Sequence, residues 1–355
     1  GQPVLNMDWL IYGANGFTGL LVAQEAVRRG MKPVLAGRNE SALAGIASDL
    51  GLEYRVFDLA DTGQLRRELS GQKLVLHCAG PFSRTSAPMV EACIAEGAHY
   101  LDITGEISVF EAVHRCDEAA RRADVVLLPG AGFDVVPTDC LSARLVEALP
   151  AATSLQLAFE AGGGPSPGTA RTSLERLGQG GCVRRDGELI EVPLAWRTRR
   201  VPFAHAEREA VTIPWGDVYT AHVSTGIPDI EVYLALPPKT IAKMKRLRSL
   251  QPLLRMGMVK RFLEKRIRSR ISGPSGERRA ATQTQIWGEV SSADGRAVSA
   301  TMTTPNGYDL TVSAALGAVE FLLENEVEGG FYTPSLLMGS GYAESLPGVS
   351  FQLRS

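Results

Sequence analysis

The sequence predicts an α/β protein, with an N-terminal Rossmann-type parallel sheet and an inserted α+β second domain. Two observations predict it. Up to about Asp134, apolar strand-like runs alternate with helix-period segments at close spacing, the pattern of parallel strands joined by crossover helices. Beyond about Leu149 the texture changes to short strands, Asp-Gly turns and a glycine-rich connector. At 355 residues the chain is long enough for two domains. The expected division is residues 1–136, 137–305 and a C-terminal segment 306–355 that returns to the first domain.

The first strand, residues 9–12, runs into Gly13, and Gly16 and Gly19 follow at three-residue steps. A helical pattern of Leu20, Leu21, Val22, Ala26 and Val27 starts at once. This strand, glycine turn and helix brings a pyrophosphate against backbone N–H groups at a helix N-terminus. Gly13 lets the chain turn, Gly16 lets backbone approach phosphate, and Gly19 lets helix and strand pack closely. The second strand, residues 33–36, is followed by Gly37, Arg38 and Asn39. NAD-binding units place an acid near this point for the ribose 2′-hydroxyl, whereas an arginine suits a 2′-phosphate. No acid ends this strand, so the cofactor read here is NADP(H), with Arg38 on the phosphate and Asn39 beside it.

Glu40 opens a helix to Leu50, and a third strand, residues 54–57, ends in Asp58. Asp58 is placed either at the adenine edge or as a loop cap. Asp61 and Gln64 make a capping box. A fourth strand, residues 74–78, leads into Ala79, Gly80, Pro81 and Phe82, small or rigid enough to lie along the nicotinamide ribose. A helix is expected from Ser86 with Pro88 in its first turn. A fifth strand covers 99–103, and Ser108 with Glu111 is read as the cap of one helix ending near Arg122. The sixth strand, 125–128, precedes PGAGFDVVPTD and a helix to about Leu149.

In the second domain, strands are expected near 154–159, 211–213, 230–236 and 280–290, with a short helix at 170–177. A hairpin over 182–192 turns at Asp186-Gly187, and Asp294-Gly295 marks another turn, giving an antiparallel sheet. Residues 308–325 have helical periodicity. Residues 239–270 hold twelve Lys or Arg and one acid, Glu264, with an apolar stripe at Ile241, Met244 and Leu247. Pro252 breaks the stripe, which resumes at Leu254, Met258, Phe262 and Ile267. Two readings stand: amphipathic helices with a solvated basic face, or a contact with a peripheral membrane surface or an acyl carrier protein.

A net charge of −2 argues against nucleic-acid binding. Five cysteines without CxxC spacing suggest reduced thiols and a cytoplasmic setting. No signal-peptide pattern is seen, and the six residues before Met7 read as an addition ahead of the native start. Acids near the nicotinamide are Asp102, Glu106 and Asp134, each a candidate proton donor if apolar surroundings raise its pKa. Each also has a plain structural reading, Asp134 as a helix cap and Glu106 as a backbone brace. Tyr100 shares a strand face with Asp102 and is a further candidate. None of the eight tyrosines is followed four residues later by lysine, which excludes short-chain-dehydrogenase chemistry. No HxxxH or CxxC occurs, so a metal site is not expected.

YGANGFTG, AGRN, CAGPF, EACIAEGAHYLDITGE and PGAGFDVVPTD, in that order, resemble the saccharopine-dehydrogenase-like oxidoreductases. The likeness leans toward the branch with trans-acting enoyl reductases, and later TTPNGY and GGFYTPS also fit. The resemblance implies NADP(H) held by Gly13, Gly16, Phe17, Thr18, Gly19 and Arg38, with Gly80, Pro81 and Phe82 nearer the nicotinamide. Asn15 stands where many relatives have threonine. No counterpart is found to the catalytic residues of true saccharopine dehydrogenases. The resulting reading is an NADPH-dependent oxidoreductase reducing an activated C=C, C=O or C=N bond, foremost of an enoyl or acyl substrate, free or carrier-tethered. Its alternatives are an imine or amino-acid dehydrogenase, with a carboxylate clamp from Arg171 or Arg176, and a non-catalytic NADP(H) sensor. A homodimer is the expected assembly.

Overall fold

A computed structural model of the protein describes residues 6–161, 180–254, 256–258, 261–262 and 282–355. The chain divides into two compact units, Gly1–Val136 with Thr311–Met338, and Pro137–Leu310 with Gly339–Ser355. Of residues 306–355, Thr311–Met338 fall in the first unit and the remainder in the second.

In the first unit the elements run β1 (Asn6–Tyr12), α1 (Phe17–Arg28), β2 (Lys32–Gly37), α2 (Glu40–Leu50), β3 (Tyr54–Val56), α3 (Thr62–Leu69), β4 (Leu74–His77), α4 (Phe82–Glu96), β5 (His99–Asp102), α5 (Ile107–His114), α6 (Asp117–Ala123) and β6 (Val126–Leu128). From β3 inward the strands lie in the order β3-β2-β1-β4-β5-β6, and a short strand from the C-terminal segment, Gly330–Phe331, extends the sheet beyond β6. Every pairing is parallel. This is the doubly wound order, which reverses between β1 and β4 and opens a crevice at their carboxyl ends. Both faces are covered, so the strands are apolar throughout, and all four residues of β4 are buried. Trp9, Ile11, Leu35, Leu74, Leu101 and Val126 join one core with Ala315, Leu316 and Val319 from the returning helix.

Two expected boundaries move. α4 starts at Phe82, four residues before the expected Ser86, so Pro88 lies inside the helix instead of in its first turn. The start is set by Pro81, whose carbonyl accepts from the amides of Arg84 and Thr85. The single helix expected after Ser108 is two, α5 and α6, and α5 is capped at Glu106, which puts Ser108 inside its first turn.

In the second unit the strands are β7 (Ala152–Glu160), β8 (Gly181–Arg185), β9 (Glu188–Val192), β10 (Thr198–Pro202), β11 (Glu207–Thr212), β12 (Asp229–Ala235), β13 (Gln283–Ser292) and β14 (Ala297–Pro305). The Gly330–Phe331 strand is β15 and the C-terminal Ser350–Arg354 is β16. They form a sheet in the order β10-β11-β12-β7-β13-β14-β16, with the β8–β9 hairpin attached to β12. The sheet is mixed and not purely antiparallel as expected, because β7 and β12 pair in parallel. The expected hairpin turn is present, with Asp186 at φ 50° and Gly187 at φ 81°. Gly288 lets the sheet close on the helix Val136–Ala148, since a Cβ there would meet Leu141 and Leu145. The short helix expected at 170–177 lies outside the described residues. No helix among the described residues is long and apolar enough to cross a membrane.

Candidate cofactor and active site

The loops after β1, β2, β4, β5 and β6 line up along the carboxyl edge of the parallel sheet, and with the first turns of α1 and α4 they carry every candidate residue of the first unit except Asp58, Tyr100 and Asp102, the last residue of β5. Asp58 follows β3, and Tyr100 lies within β5.

After β1 the chain turns at Gly13, with φ +86° and its amide bonded to Ala36 O at 2.8 Å. A Cβ at Gly13 would stand 2.8 Å from Ala79 N and 2.9 Å from Ala79 Cβ, so the turn is seated directly on the loop after β4. A Cβ at Gly19 would fall onto Gly13 O, which is how the first turn of α1 packs against the strand end. Gly16 is different. It is exposed, and its only close neighbour would be Gly13 O at 3.3 Å, leaving its outer side open. Gly16 is also the N-cap of α1, with no side-chain cap and no acid in the first turn, where Phe17 and Thr18 are half-buried. A helix N-terminus left without protein anions is suited to a bound phosphate. Asn15 is exposed and its Oδ1 lies over Gly37, where a Cβ would approach to 2.9 Å.

Arg38 follows β2 directly, is exposed, and makes no ion pair among the described residues. It borders an open depression with Asn39, Glu40 and Ser41. The Asn39 side chain is occupied in part: its Oδ1 caps α2, accepting from Ala42 N at 3.1 Å and from Ser41 Oγ at 3.0 Å. Asp58 is exposed and closes its own loop, accepting from Ala60 N at 2.9 Å. Tyr12, at the end of β1, feels both groups. Burial, and after it Asp58, raise its phenol to about 12 against the opposing effect of Arg38.

The Ala79–Phe82 loop is braced from beneath by two residues that the sequence reading did not select. Thr85 Oγ1 donates to Ala79 O at 2.8 Å and lies 2.9 Å from His77 Nε2. With the hydroxyl proton directed to Ala79, His77 is the donor, which fixes the Nε2–H tautomer. Its Nδ1 is buried with no hydrogen-bond partner, and burial drives the imidazole pKa down to about 3, so His77 stays neutral. The Phe82 ring meets that of His77 edge-on at 5.2 Å. The legible signal was a histidine ending an apolar strand just before a loop of small residues.

At the β5–β6 end the structure joins Tyr100 and Asp102, as the two-residue strand period places them. Tyr100 Oη donates to Asp102 Oδ2 at 2.5 Å, and Asp102 Oδ1 accepts from Thr104 N and Gly130 N, both at 2.9 Å. Both side chains are fully buried. Burial raises the Asp102 carboxyl to about 6 against the opposing effect of those three donors. It holds Tyr100 well above the ordinary phenol range as well. Neither presents surface to a ligand. Glu106 and Asp134 are half-buried, the first as N-cap of α5, with its amide bonded to Thr104 Oγ1 at 3.1 Å. Asp134 precedes Val136, where the next helix starts. Gly132 and Phe133 just before it are fixed to Thr311, whose Oγ1 accepts from Phe133 N at 2.9 Å.

Comparison with known proteins finds relatives for part of this chain. Residues 9–128 match the saccharopine dehydrogenase NADP-binding domain. A probable mitochondrial saccharopine dehydrogenase-like oxidoreductase of Arabidopsis thaliana is 32% identical over 155 residues, 39% of this chain and 34% of that protein. A trans-acting enoyl reductase of Mycobacterium tuberculosis is 33% identical over 143 residues, 37% of this chain and 34% of that protein. The match thus spans about a third of the length of these curated relatives. Among solved structures, saccharopine dehydrogenase (L-Glu forming) from Saccharomyces cerevisiae has a TM-score of 0.67 at 13% identity, covering 99% of this chain and 100% of that one. Homospermidine synthase from Legionella pneumophila, in complex with NAD, has a TM-score of 0.64 at 11% identity, covering 98% and 91%. At such identities the likeness is one of fold. The glycine turn at the strand-order reversal and the arginine after β2 therefore both lie within residues 9–128, the stretch that matches the saccharopine dehydrogenase NADP-binding domain.

Proposed function

We propose that the chain is an NADPH-dependent oxidoreductase that delivers hydride to an activated double bond, foremost the C=C of an enoyl or acyl substrate, free or carrier-tethered. One observation carries the reading. The cation that follows β2, Arg38, is exposed and makes no ion pair among the described residues, and it stands where an acid would select NAD, in a sheet whose α1 begins with no side-chain cap. The partial identity to a trans-acting enoyl reductase inclines the substrate toward the acyl class.

Bound NADPH supplies the hydride. The chain's own residues hold it and handle the proton. Gly16, Phe17 and Thr18 offer the opening turn of α1 to the pyrophosphate, and Arg38 takes the 2′-phosphate as a charge-assisted pair. Asn15 and Asn39 flank these phosphates, and Asp58 lies toward the adenine edge. Ala79, Gly80, Pro81 and Phe82 form the surface along the nicotinamide ribose, kept in place by Thr85 and His77. Asp102 and Tyr100 act as positioning residues: through Thr104 and Gly130 the carboxylate ties the loops after β5 and β6 together. That leaves Glu106 and Asp134, both half-buried, to deliver the proton.

The test is NADPH oxidation across enoyl thioesters, imines and carbonyl compounds, followed at the nicotinamide absorbance. Turnover of enoyl thioesters is expected. Turnover confined to imines would transfer the chain to the saccharopine-like class, and tight NADPH binding without turnover of any of them would make it a sensor.

A further inference from the structure

The basic stretch read from the sequence is two different surfaces. In its first part the helix Pro238–Leu247 turns its apolar stripe inward: Ile241 is buried, and it packs with Met244 and Leu236 against Ala195 and Val211. Arg248 fixes the end of this helix, donating to Leu194 O at 2.9 Å and Ala195 O at 2.5 Å. Lys239, Lys243, Lys245 and Arg246 are left on the solvent side.

The second part is the reverse. Nine large hydrophobic side chains are exposed among the described residues, and five of them fall within residues 250–262: Leu250, Leu253, Met256, Met258 and Phe262. Met258 is 77% and Phe262 64% exposed. Scattered exposed apolar residues need no explanation, but a run of five in thirteen positions does. No acid occurs from Lys239 to Phe262, while Arg248 and Arg261 stand within or beside the apolar run. Unbroken positive charge around exposed leucine, methionine and phenylalanine complements a surface that is apolar beneath and anionic above.

We propose that Leu250, Leu253, Met256, Met258 and Phe262, with the lysines and arginine of the preceding helix, dock the second unit onto an anionic lipid surface. The apolar side chains enter the boundary between headgroups and acyl chains, and the cations pair with lipid phosphates. The site is independent of the cofactor reading and stands or falls separately from it.

The experiment is co-flotation of the full chain with phosphatidylcholine vesicles, with and without phosphatidylglycerol. Uptake is expected only with the anionic lipid. It should be mostly lost between about 0.1 M and about 1 M salt, where the screening length falls from about 10 to about 3 Å. Met258→Glu with Phe262→Glu should weaken uptake by about tenfold or more. Because both side chains are exposed, thermal stability and NADPH affinity should be unchanged. Lys243→Gln with Lys245→Gln should weaken uptake less and reduce its salt dependence. The proposal is overturned if the parent chain ignores anionic vesicles at low salt, or if the Met258/Phe262 variant floats as well as the parent. It is equally overturned if the face binds an acidic carrier protein but no vesicle, or if the double variant instead abolishes a dimer formed without lipid.

Discussion

The two ends of the carboxyl edge of the parallel sheet treat polar groups in opposite ways. On the β1–β2 side, α1 begins at an exposed glycine with no side-chain cap, and Arg38 makes no ion pair among the described residues. On the β5–β6 side, the Asp102 carboxylate is sealed from solvent and accepts three hydrogen bonds from Tyr100, Thr104 and Gly130. Burying a charge without partners is costly, so the closed end must satisfy its own. The open end can leave its donors to water or to a ligand. Polar groups matched inside the protein are architecture here, and those left facing outward are the ones proposed to meet the anionic cofactor.

The sharpest break in that comparison lies within the glycine turn. At Gly19 a methyl group would fall onto the backbone oxygen of Gly13, and no flexible side chain is there to yield. Gly19→Ala is expected to cost about 3 kcal/mol or more in denaturant unfolding and to abolish NADPH binding with it. At Gly16 the added methyl meets one oxygen at 3.3 Å, so the fold should hold while NADPH affinity drops. A Gly19 variant as stable as the parent would show that the turn is not packed as described.

The closed end yields a pH signature. Unfolded, Asp102 titrates near 3.8, and folded near 6. Between these values the folded chain holds more protons than the unfolded, so the Asp102 contribution to stability is fully present below about pH 4. It is lost as pH rises to about 6, by about 3 kcal/mol in all. Asp102→Asn removes that ionisation. The parent should therefore lose stability relative to the variant by about this amount across the window, measured by urea unfolding at several pH values. A difference that stays flat with pH would mean the carboxyl is not desolvated.

Much of the open end was legible because its rules are local. The glycine spacing, Arg38 after β2, and Asp61 capping α3 through Gln64 N each depend on residues a few positions apart. α2 likewise begins at Glu40 and ends at Leu50, as its pattern predicts. What escaped depends on contacts between distant segments. Thr85 was invisible as a brace until α4 was found to begin at Phe82, which turns its hydroxyl back to Ala79. The second sheet misled in the same way, since β7 and β12 pair in parallel across a long interval that strand periodicity does not record. β10 and β16 are short strands at the sheet edges, with too little apolar alternation to announce themselves. At residues 239–262 the sequence showed a basic stretch with an apolar stripe on either side of Pro252, and only packing against Ala195 and Val211 tells the inward part from the outward one.

The smallest predicted effect is the most selective. If Arg38 is the contact for a 2′-phosphate, Arg38→Ala removes a charge-assisted hydrogen bond worth about 1.5–3 kcal/mol from NADPH and nothing from NADH. Because Arg38 is exposed and has no ion pair among the described residues, its removal leaves no buried partner behind, so unfolding should barely change. That separates it from Gly19, where binding and folding fail together. Calorimetric titration of parent and variant with both cofactors reads the difference directly. Equal loss for NADPH and NADH would assign Arg38 to the pyrophosphate or to general charge. No loss for either would leave the open end of the sheet without its selecting cation, and the choice of NADPH would then have to rest on the backbone of the glycine turn, which cannot distinguish the two cofactors.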